Sequence, residues 1–586
     1  MGIALGLNPV KRLIAPKLDN PFFLLHESPH IELPPRKGWY EYSEAFGIKI
    51  SRLSERPPNW FIGCNTNQST RFGSLFWWQI PDFDPSIGDI KVIWEASRFD
   101  WVIACTEQMM SGDKDAWQRL EFWLKDWCLN NPPYKGPNWK CGQEASIRVL
   151  HLALGARLLG QHSRPSSGLL DLLTTHLQRI APTLQYALAQ DNNHGTSEAA
   201  ALFIGGSWLA AVGDKRGASW ERIGRKWLEN RAKRLIASDG SFSQYSVNYH
   251  RLLLDTLVMV ELWRGTLELP RFSSAFYERA RAATHWLYSF VQVSTGDAPN
   301  IGANDGARLL PLTDTDYRDY RPSVQLAAAH FLDARAYSGA GDWNLPLQWL
   351  GIPVPEKTLP SITSEIFDCG GYAVLHFGSA TAVLRYPCFR FRPGQADALH
   401  LDLWVNNENY LRDGGTYSYS GDPAEMRYFS GTASHNTVQF DGRDQMPRIS
   451  RFLFGGWPKA RVVEPLNVEP TSHSFSVAYR DHWRCKHQRK VQLSAGFMKV
   501  VDNVSGFTDK AVLRWRLKPG EWRIANSTVS CRGFSVKVTS NVEIQRISLV
   551  TGWESRYYLT KSEIPVLEIE INHAGELITC VEWEAK

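Results

Sequence analysis

The sequence predicts an α+β chain of two parts, helical first and antiparallel β afterwards, and three observations carry that reading. Its 586 residues exceed several-fold what one hydrophobic core usually spans. Apolar residues recur at three- and four-residue steps through the first part and at two-residue steps through the last. Between them the stretch SGAGDWNLPLQWLGIPVPEKTLP carries four prolines and ends the helical pattern. The expected organisation is a helical domain over 1–345, a Pro-rich linker over 346–360 and a β-sandwich over 361–586.

Ile147, Leu150, Leu154 and Leu158 mark one buried helix face, and Leu169, Leu173, Leu177 and Ile180 repeat it after the breaker SRPSSG. Leu202, Trp208 and Leu209 belong to a third apolar segment, and 223–236, 252–264 and 277–293 continue in kind. Short loops between such helices favour antiparallel pairs that close into a barrel or arc. No fixed-period repeat is visible. In the last third Phe475, Val477 and Tyr479 share one strand face, and Leu513, Trp515 and Leu517 do so with Arg514 and Arg516 opposite. Gly, Asn and Asp punctuate these runs as stacked antiparallel sheets require.

Composition excludes several classes. There is no run of about 18 uncharged apolar residues, so no membrane-spanning helix is expected. The net charge of +5 suits an anionic ligand, but no block of like charge, zinc-finger spacing or RNA-binding signature points to nucleic acid. Nine cysteines, odd in number and without a C-x-x-C pair, read as free thiols. The opening MGIALGLNPVKRLIAP places its apolar stretch ahead of its basic residues, the reverse of a secretory signal. The expectation is a cytoplasmic protein, or a periplasmic or secreted one if a signal was removed or another export route is used. The 24 tryptophans fill cores, and some of them can stack on sugar rings.

Three segments are richer in polar and aromatic residues than their surroundings need. Asp191-Asn192-Asn193-His194-Gly195-Thr196 opens a helix, and two Asn plus a His exceed what a cap requires. Asp239-Gly240-Ser241-Phe242-Ser243-Gln244-Tyr245-Ser246-Val247-Asn248-Tyr249-His250-Arg251 runs from a turn into the next helix. The third gathers Gln395 to Leu403, Arg412-Asp413-Gly414-Gly415-Thr416-Tyr417 and Ser434-His435-Asn436-Thr437 in the β domain; His400 and Asp402 share a strand face there.

In this order, N-N-H, D-G-S-F-x-Q-x-S-x-x-Y-H-R, D-G-G-T-Y and S-H-N-T resemble the heparinase II/III-like polysaccharide lyases from about residue 60 to the C-terminus. The long Tyr string is the specific motif. The resemblance implies an incomplete (α/α) toroid followed by an antiparallel β-sandwich, and β-elimination on a uronic-acid polysaccharide. It assigns the uronate carboxylate to Asn193, with His194 beside it, and the leaving oxygen to Tyr249. Asn138, Trp139, Glu144 and Arg148 resemble the helix lining the substrate cleft; Trp139 would stack on sugar and Arg148 would hold a carboxylate or sulfate. Gln244 and Arg427 join the expected substrate contacts, and Arg251 and Arg392 add positive charge. A Tyr that also abstracts the proton needs positive charge nearby, for which His250 and Arg251 are the sequence neighbours.

The sequence departs from the family where relatives carry H-x-H-A-D. Ala396-Asp397 aligns with A-D, which leaves Pro393 at the catalytic His and Gln395 at the metal His. Gln395, Asp413 and His435 then form the expected metal set, for manganese, zinc or calcium, or for no ion at all; no organic cofactor is expected. His400 is the candidate replacement base. Glycosaminoglycans such as hyaluronan, chondroitin sulfate and heparan sulfate come first as substrates, then alginate or a bacterial exopolysaccharide. A glycoside hydrolase would need two carboxylates at the bond, and near these clusters only Glu198 and Asp255 offer them. A carbohydrate-binding relative without activity is the third reading.

Overall fold

In the computed structural model the described residues are 15–25, 29–84 and 87–584. The start of the chain read above for a secretory signal lies almost wholly outside them. The helical part runs through α1 (Lys91–Trp94), α2 (Asp100–Met110), α3 (Asp115–Asn130), α4 (Gly142–Leu158), α5 (Ser167–Ile180), α6 (Leu184–Ala189), α7 (Asn193–Ala211), α8 (Gly217–Leu235), α9 (Val247–Thr266), α10 (Ser274–Phe290), α11 (Arg321–Phe331) and α12 (Leu345–Trp349).

Three of these are buried on nearly every side: α4, α7 and α9. A helix that is apolar all round belongs inside a helical array. Accordingly α4 packs against α2, α5 and α7, while α7 packs against α8 and α9, and α9 against α10 and α11. Helices α5 and α8 keep a polar outer face, making α4, α7 and α9 the inner members of the incomplete toroid. Their starts are chemically fixed. Asn192 Oδ1 accepts from His194 N at the start of α7, and Ser246 Oγ accepts from Tyr249 N, 3.1 Å away, at the start of α9. The α7–α8 pair is close because glycine lines it: a Cβ on Gly224 would come within 2.3 Å of Phe203 N.

One early segment is not helical. Tyr42–Ala45 and Ile48–Arg52 form an antiparallel hairpin turned by Phe46 and Gly47, both at positive φ. The turn suits the right-handed twist of a strand pair, and the alternation of IKISR fits strand rather than helix.

Among the described residues the β part holds three larger antiparallel sheets and the two-stranded pair of Arg448–Ser450 with Leu453–Phe454. Glu365–Phe367, Tyr372–Phe377, Ala380–Arg385, Leu401–Val405 and Glu408–Leu411 pair in sequence order. An eight-stranded sheet begins with Lys459–Val468, Ser472–Arg480, Lys486–Ser494 and Phe497–Ser505, and Gly575–Trp583 joins these to three strands from 523–540. Ile544–Tyr557, Thr560–Ile571, Ala511–Arg516 and Val438–Phe440 make the third sheet. Period-two alternation sorts the first sheet between two cores. Tyr372 and Val374 join the helical core, and Ala373 and Leu375 join the core shared with the other strands. Ala380–Arg385 is buried at every position for the same reason.

A buried ionic cluster ties the large sheet to the loops beside the site. Asp502 accepts from His487 Nε2 at 2.7 Å and from Arg489 Nε at 2.7 Å, and Arg489 Nη1 donates to Leu399 O and Asn436 O. All three side chains are fully buried. Asp502→Ala leaves the Arg489 charge unpaired, so we expect a loss of roughly 3–5 kcal/mol in urea unfolding. A loss below about 1 kcal/mol would show the cluster is not what holds these loops.

Candidate active site

The N-terminal ends of the three inner helices meet the β part in a cleft of about 760 Å³. Gln143 and Glu144 come from α4, Asn193 and His194 from α7, and Tyr249 from α9. The opposite wall is built by residues 390–395 and 416–420 and by the loop around Arg451 and Phe452.

Because Asn192 takes the capping role, Asn193 is released from it. Its backbone N–H donates to Gln244 Oε1 at 2.9 Å, and its carboxamide makes no hydrogen bond to another described residue. Gln244 therefore sets the position of Asn193 and itself lines the cleft. The His194 ring faces the cleft beside it. Burial pushes its pKa below the usual histidine value, opposed by Glu198 one turn along, so the imidazole is neutral at neutral pH. Glu198, under His194 and outside the cleft lining, is itself pushed up to about 8 by burial.

Tyr249 meets a second hydroxyl from the other domain. Its Oη lies 3.0 Å from that of Tyr419. Burial, then Asp305 and Tyr419, raises the Tyr249 pKa well above 10, which makes it a proton donor and not a base. Tyr419 is held in turn: its N–H donates to Tyr558 Oη at 2.8 Å, and Tyr558 donates to Asp89. The Lys91 ammonium sits 4.4 Å from the Tyr419 ring centroid. Lys91, Arg390, Arg392 and Arg451 line the cleft, and none forms an ion pair with a carboxylate of the described residues. Glu144, by contrast, is neutralised by Arg98, whose Nε and Nη2 reach its two oxygens at 2.8 and 3.0 Å.

Several expected residues lie elsewhere. Asn138, Trp139 and Arg148 are buried behind the wall and do not reach the cleft. Arg148 donates to His176 Nε2, Asn138 O and Ser97 O, with its guanidinium 5.1 and 5.4 Å from the rings of Trp127 and Trp139. Burial pulls its pKa down to about 9. His250 turns away to Ala283 O and stacks on Trp286, and Arg251 donates to Asn248 and Tyr317 O, so neither faces the Tyr249 hydroxyl. Arg427 is exposed on the Pro423–Ser430 helix, outside the cleft lining, whereas Arg392 does line it.

His400 is fully buried and outside the cleft, so it is not placed to be a base. It joins Asp413 and His435 instead. The three donor atoms lie within 4.8 Å of one another, and this group could hold a metal. His435 Nδ1 is 2.8 Å and His400 Nε2 3.4 Å from Asp413 Oδ2. Despite burial, the two imidazoles hold Asp413 down at about 2. Gln395, the expected third ligand, spends its amide on Gly302 N and Gly415 O and lines the cleft. The segment running from Gln395 into the Leu401–Val405 strand thus supplies its histidine five residues later, at His400. Two imidazoles and a carboxylate suit zinc or manganese better than the amide set did.

The sequence reading missed Lys91, Tyr419 and Tyr186. Tyr419 follows the D-G-G-T-Y motif by two residues, on the same side of an extended chain as Tyr417, and that spacing was the available signal. Tyr186 stands 75% exposed at the cleft and offers the stacking face first sought in Trp139. We expect Arg148→Ala to destabilise the fold by roughly 2–4 kcal/mol through its orphaned partners. Carbohydrate binding by the folded fraction should not change; weaker binding at unchanged stability would return Arg148 to the cleft.

Two family models match the chain: heparinase II/III N-terminus over residues 77–305 and heparinase II/III-like, C-terminal, over 361–560. A heparin-sulfate lyase of Bacteroides thetaiotaomicron is 22% identical over 440 residues, covering 70% of this chain and 59% of that protein. One from Pedobacter heparinus is 21% identical over 480 residues, with 79% and 68% covered. The chain thus spans about three fifths to two thirds of these relatives' length. Among solved structures, heparinase III superposes with a TM-score of 0.64 at 17% identity, over 89% of this chain and 80% of that one. The heparan sulfate lyase of Pedobacter heparinus gives 0.57 at 18% identity, over 85% and 78%. At these identities the likeness to solved structures is one of fold.

Proposed function

The chain belongs to the heparinase II/III-like family, and from that membership we propose that it is a lyase of uronic-acid-containing anionic polysaccharides, heparan-type glycosaminoglycans first among them. The observation that carries this is the meeting of Asn193, His194 and Tyr249 on one cleft wall among unpaired cationic side chains. A β-elimination removes the C5 proton of the uronate, breaks the C4–O glycosidic bond and leaves a C4=C5 double bond. The Asn193 carboxamide donates to the uronate carboxylate as negative charge builds, aided by the N-terminal end of α7. Neutral His194 takes the C5 proton. Tyr249, kept protonated by burial, gives its proton to the departing C4 oxygen, and Tyr419 holds that hydroxyl in place. Lys91, Arg390, Arg392 and Arg451 attract the polymer's carboxylates and sulfates.

A divalent ion at His400, Asp413 and His435 would be structural, since all three are buried away from the cleft. It would brace the loops that carry Thr416 to Ser420. Added zinc or manganese should then raise the melting temperature of the wild type and leave that of Asp413→Ala unmoved. An equal response from both proteins would place the ion elsewhere.

Incubation with heparan sulfate, hyaluronan, chondroitin sulfate and alginate, followed by the ultraviolet absorbance of the unsaturated uronate, tests the reading. Tyr249→Phe and Asn193→Ala should each lower kcat at least a hundredfold, by roughly 3 kcal/mol of transition-state stabilisation. Reducing ends released without absorbance would mean hydrolysis and would end the proposal. The pH profile has a definite sign. Activity should rise with pH through a value below the ordinary histidine pKa of about 6.5 as His194 loses its proton. It should fall only above about 10, where Tyr249 ionises. A rising limb centred above pH 8 or so would remove His194 from the role of base.

A further inference from the structure

Both walls of the cleft touch each other at its rim. Phe83, on the segment leading into α1, packs against Phe452 of the β part with ring centroids 6.3 Å apart. The Arg451 guanidinium lies 3.7 Å from the Phe83 ring centroid. Phe83 is 43% and Phe452 42% exposed, so the contact is at the surface and not on the cleft floor. Each half is anchored to its own wall. Lys140, two residues before α4, reaches Asp82 at 2.9 Å and Ile80 O at 2.6 Å, and Arg451 Nη1 donates to Tyr419 O at 2.8 Å. The Phe452 ring also meets the Tyr419 ring edge-on at 5.5 Å, and the Tyr419 hydroxyl touches that of Tyr249.

The wall-to-wall contact therefore stands one aromatic ring away from the Tyr249–Tyr419 hydroxyl pair. A long polymer cannot lie straight across a cleft closed at that point. A chain end can enter from the open side and reach Tyr249. The cleft of about 760 Å³ has room for a short oligosaccharide. We infer that Phe83, Arg451 and Phe452 form an end stop that makes the protein act on chain termini, releasing one short product of fixed length per event. This rests on the lyase reading above, and the chemistry at the bond is unchanged: one C–H and one C–O bond break and one C=C forms.

The test follows product absorbance and polymer size together on heparan sulfate. For the wild type, absorbance should grow from the first minutes while the mean polymer length falls slowly and one short oligosaccharide dominates the products. In Phe83→Ala/Phe452→Ala, whose side chains are exposed, the number of mid-chain breaks per double bond formed should rise at least threefold. Early collapse of polymer length in the wild type would overturn the inference while leaving the lyase reading intact. If no substrate gains absorbance, the lyase reading fails instead, and the stop is judged by binding. Ultracentrifugation with heparan sulfate of graded lengths should then find a fixed number of protein molecules per chain. Binding that grows in proportion to chain length would sink the end stop independently of activity.

Discussion

With helices on one face of the Glu365–Leu411 sheet and further strands on the other, neither domain can slide without uncovering apolar surface on both sides at once. Tyr372 and Val374 are committed to the helical core and Ala373 and Leu375 to the β core, all fully or almost fully buried. At about 25 cal/mol per Å² of apolar surface, even a modest shift of such a layer is costly. The cleft depends on that rigidity. Its two walls come from different domains, and distances such as the 3.0 Å between the Tyr249 and Tyr419 hydroxyls survive only if the sheet holds them.

The same cores explain what the sequence could and could not reveal. Helix and strand periods were legible because amphipathic elements announce their buried face, as Leu169, Leu173, Leu177 and Ile180 do in α5. The inner helices gave less away: α4, α7 and α9 are buried all round, so their polar residues could not be sorted into cleft-facing and packed from spacing alone. Asn193 and Tyr249, singled out by motif, do line the cleft. Trp139 and Arg148 were misplaced because a buried guanidinium among indole rings reads, in sequence, like a sugar-stacking patch. His400 was misread as a base for a related reason. Its partners Asp413 and His435 are 13 and 35 residues away, and only folding shows that the three share one buried point. The early hairpin at Phe46-Gly47 was missed because its strands are too short to outweigh the helical context.

Within the cleft, burial moves two neighbouring groups in opposite directions. It strips the proton from His194 and keeps the proton on Tyr249, since in each case the uncharged form is the one a low-dielectric wall tolerates. Burial is the largest influence on both, ahead of Asp305 near Tyr249 and Glu198 near His194. The unpaired cations, Lys91 and Arg390 among them, are left for the ligand. Glu144 and Asp191 do not cancel them because each is already taken, by Arg98 and by Arg231 with Arg234.

The hydroxyl pair has a consequence for the order in which the chain is made. Asn193, His194 and Tyr249 are all synthesised before the first strand of the shared sheet, and the helices bearing them can assemble among themselves. Tyr419 is translated 170 residues after Tyr249, and Tyr558, which holds it, 139 residues after that. A nascent chain thus carries Asn193, His194 and Tyr249 long before it has the Tyr419 hydroxyl that meets that of Tyr249. Until residues 390–395, 416–420 and the loop around Arg451 have been made the cleft has a single wall, and Tyr419 must then wait for the Tyr558 hydroxyl that holds it.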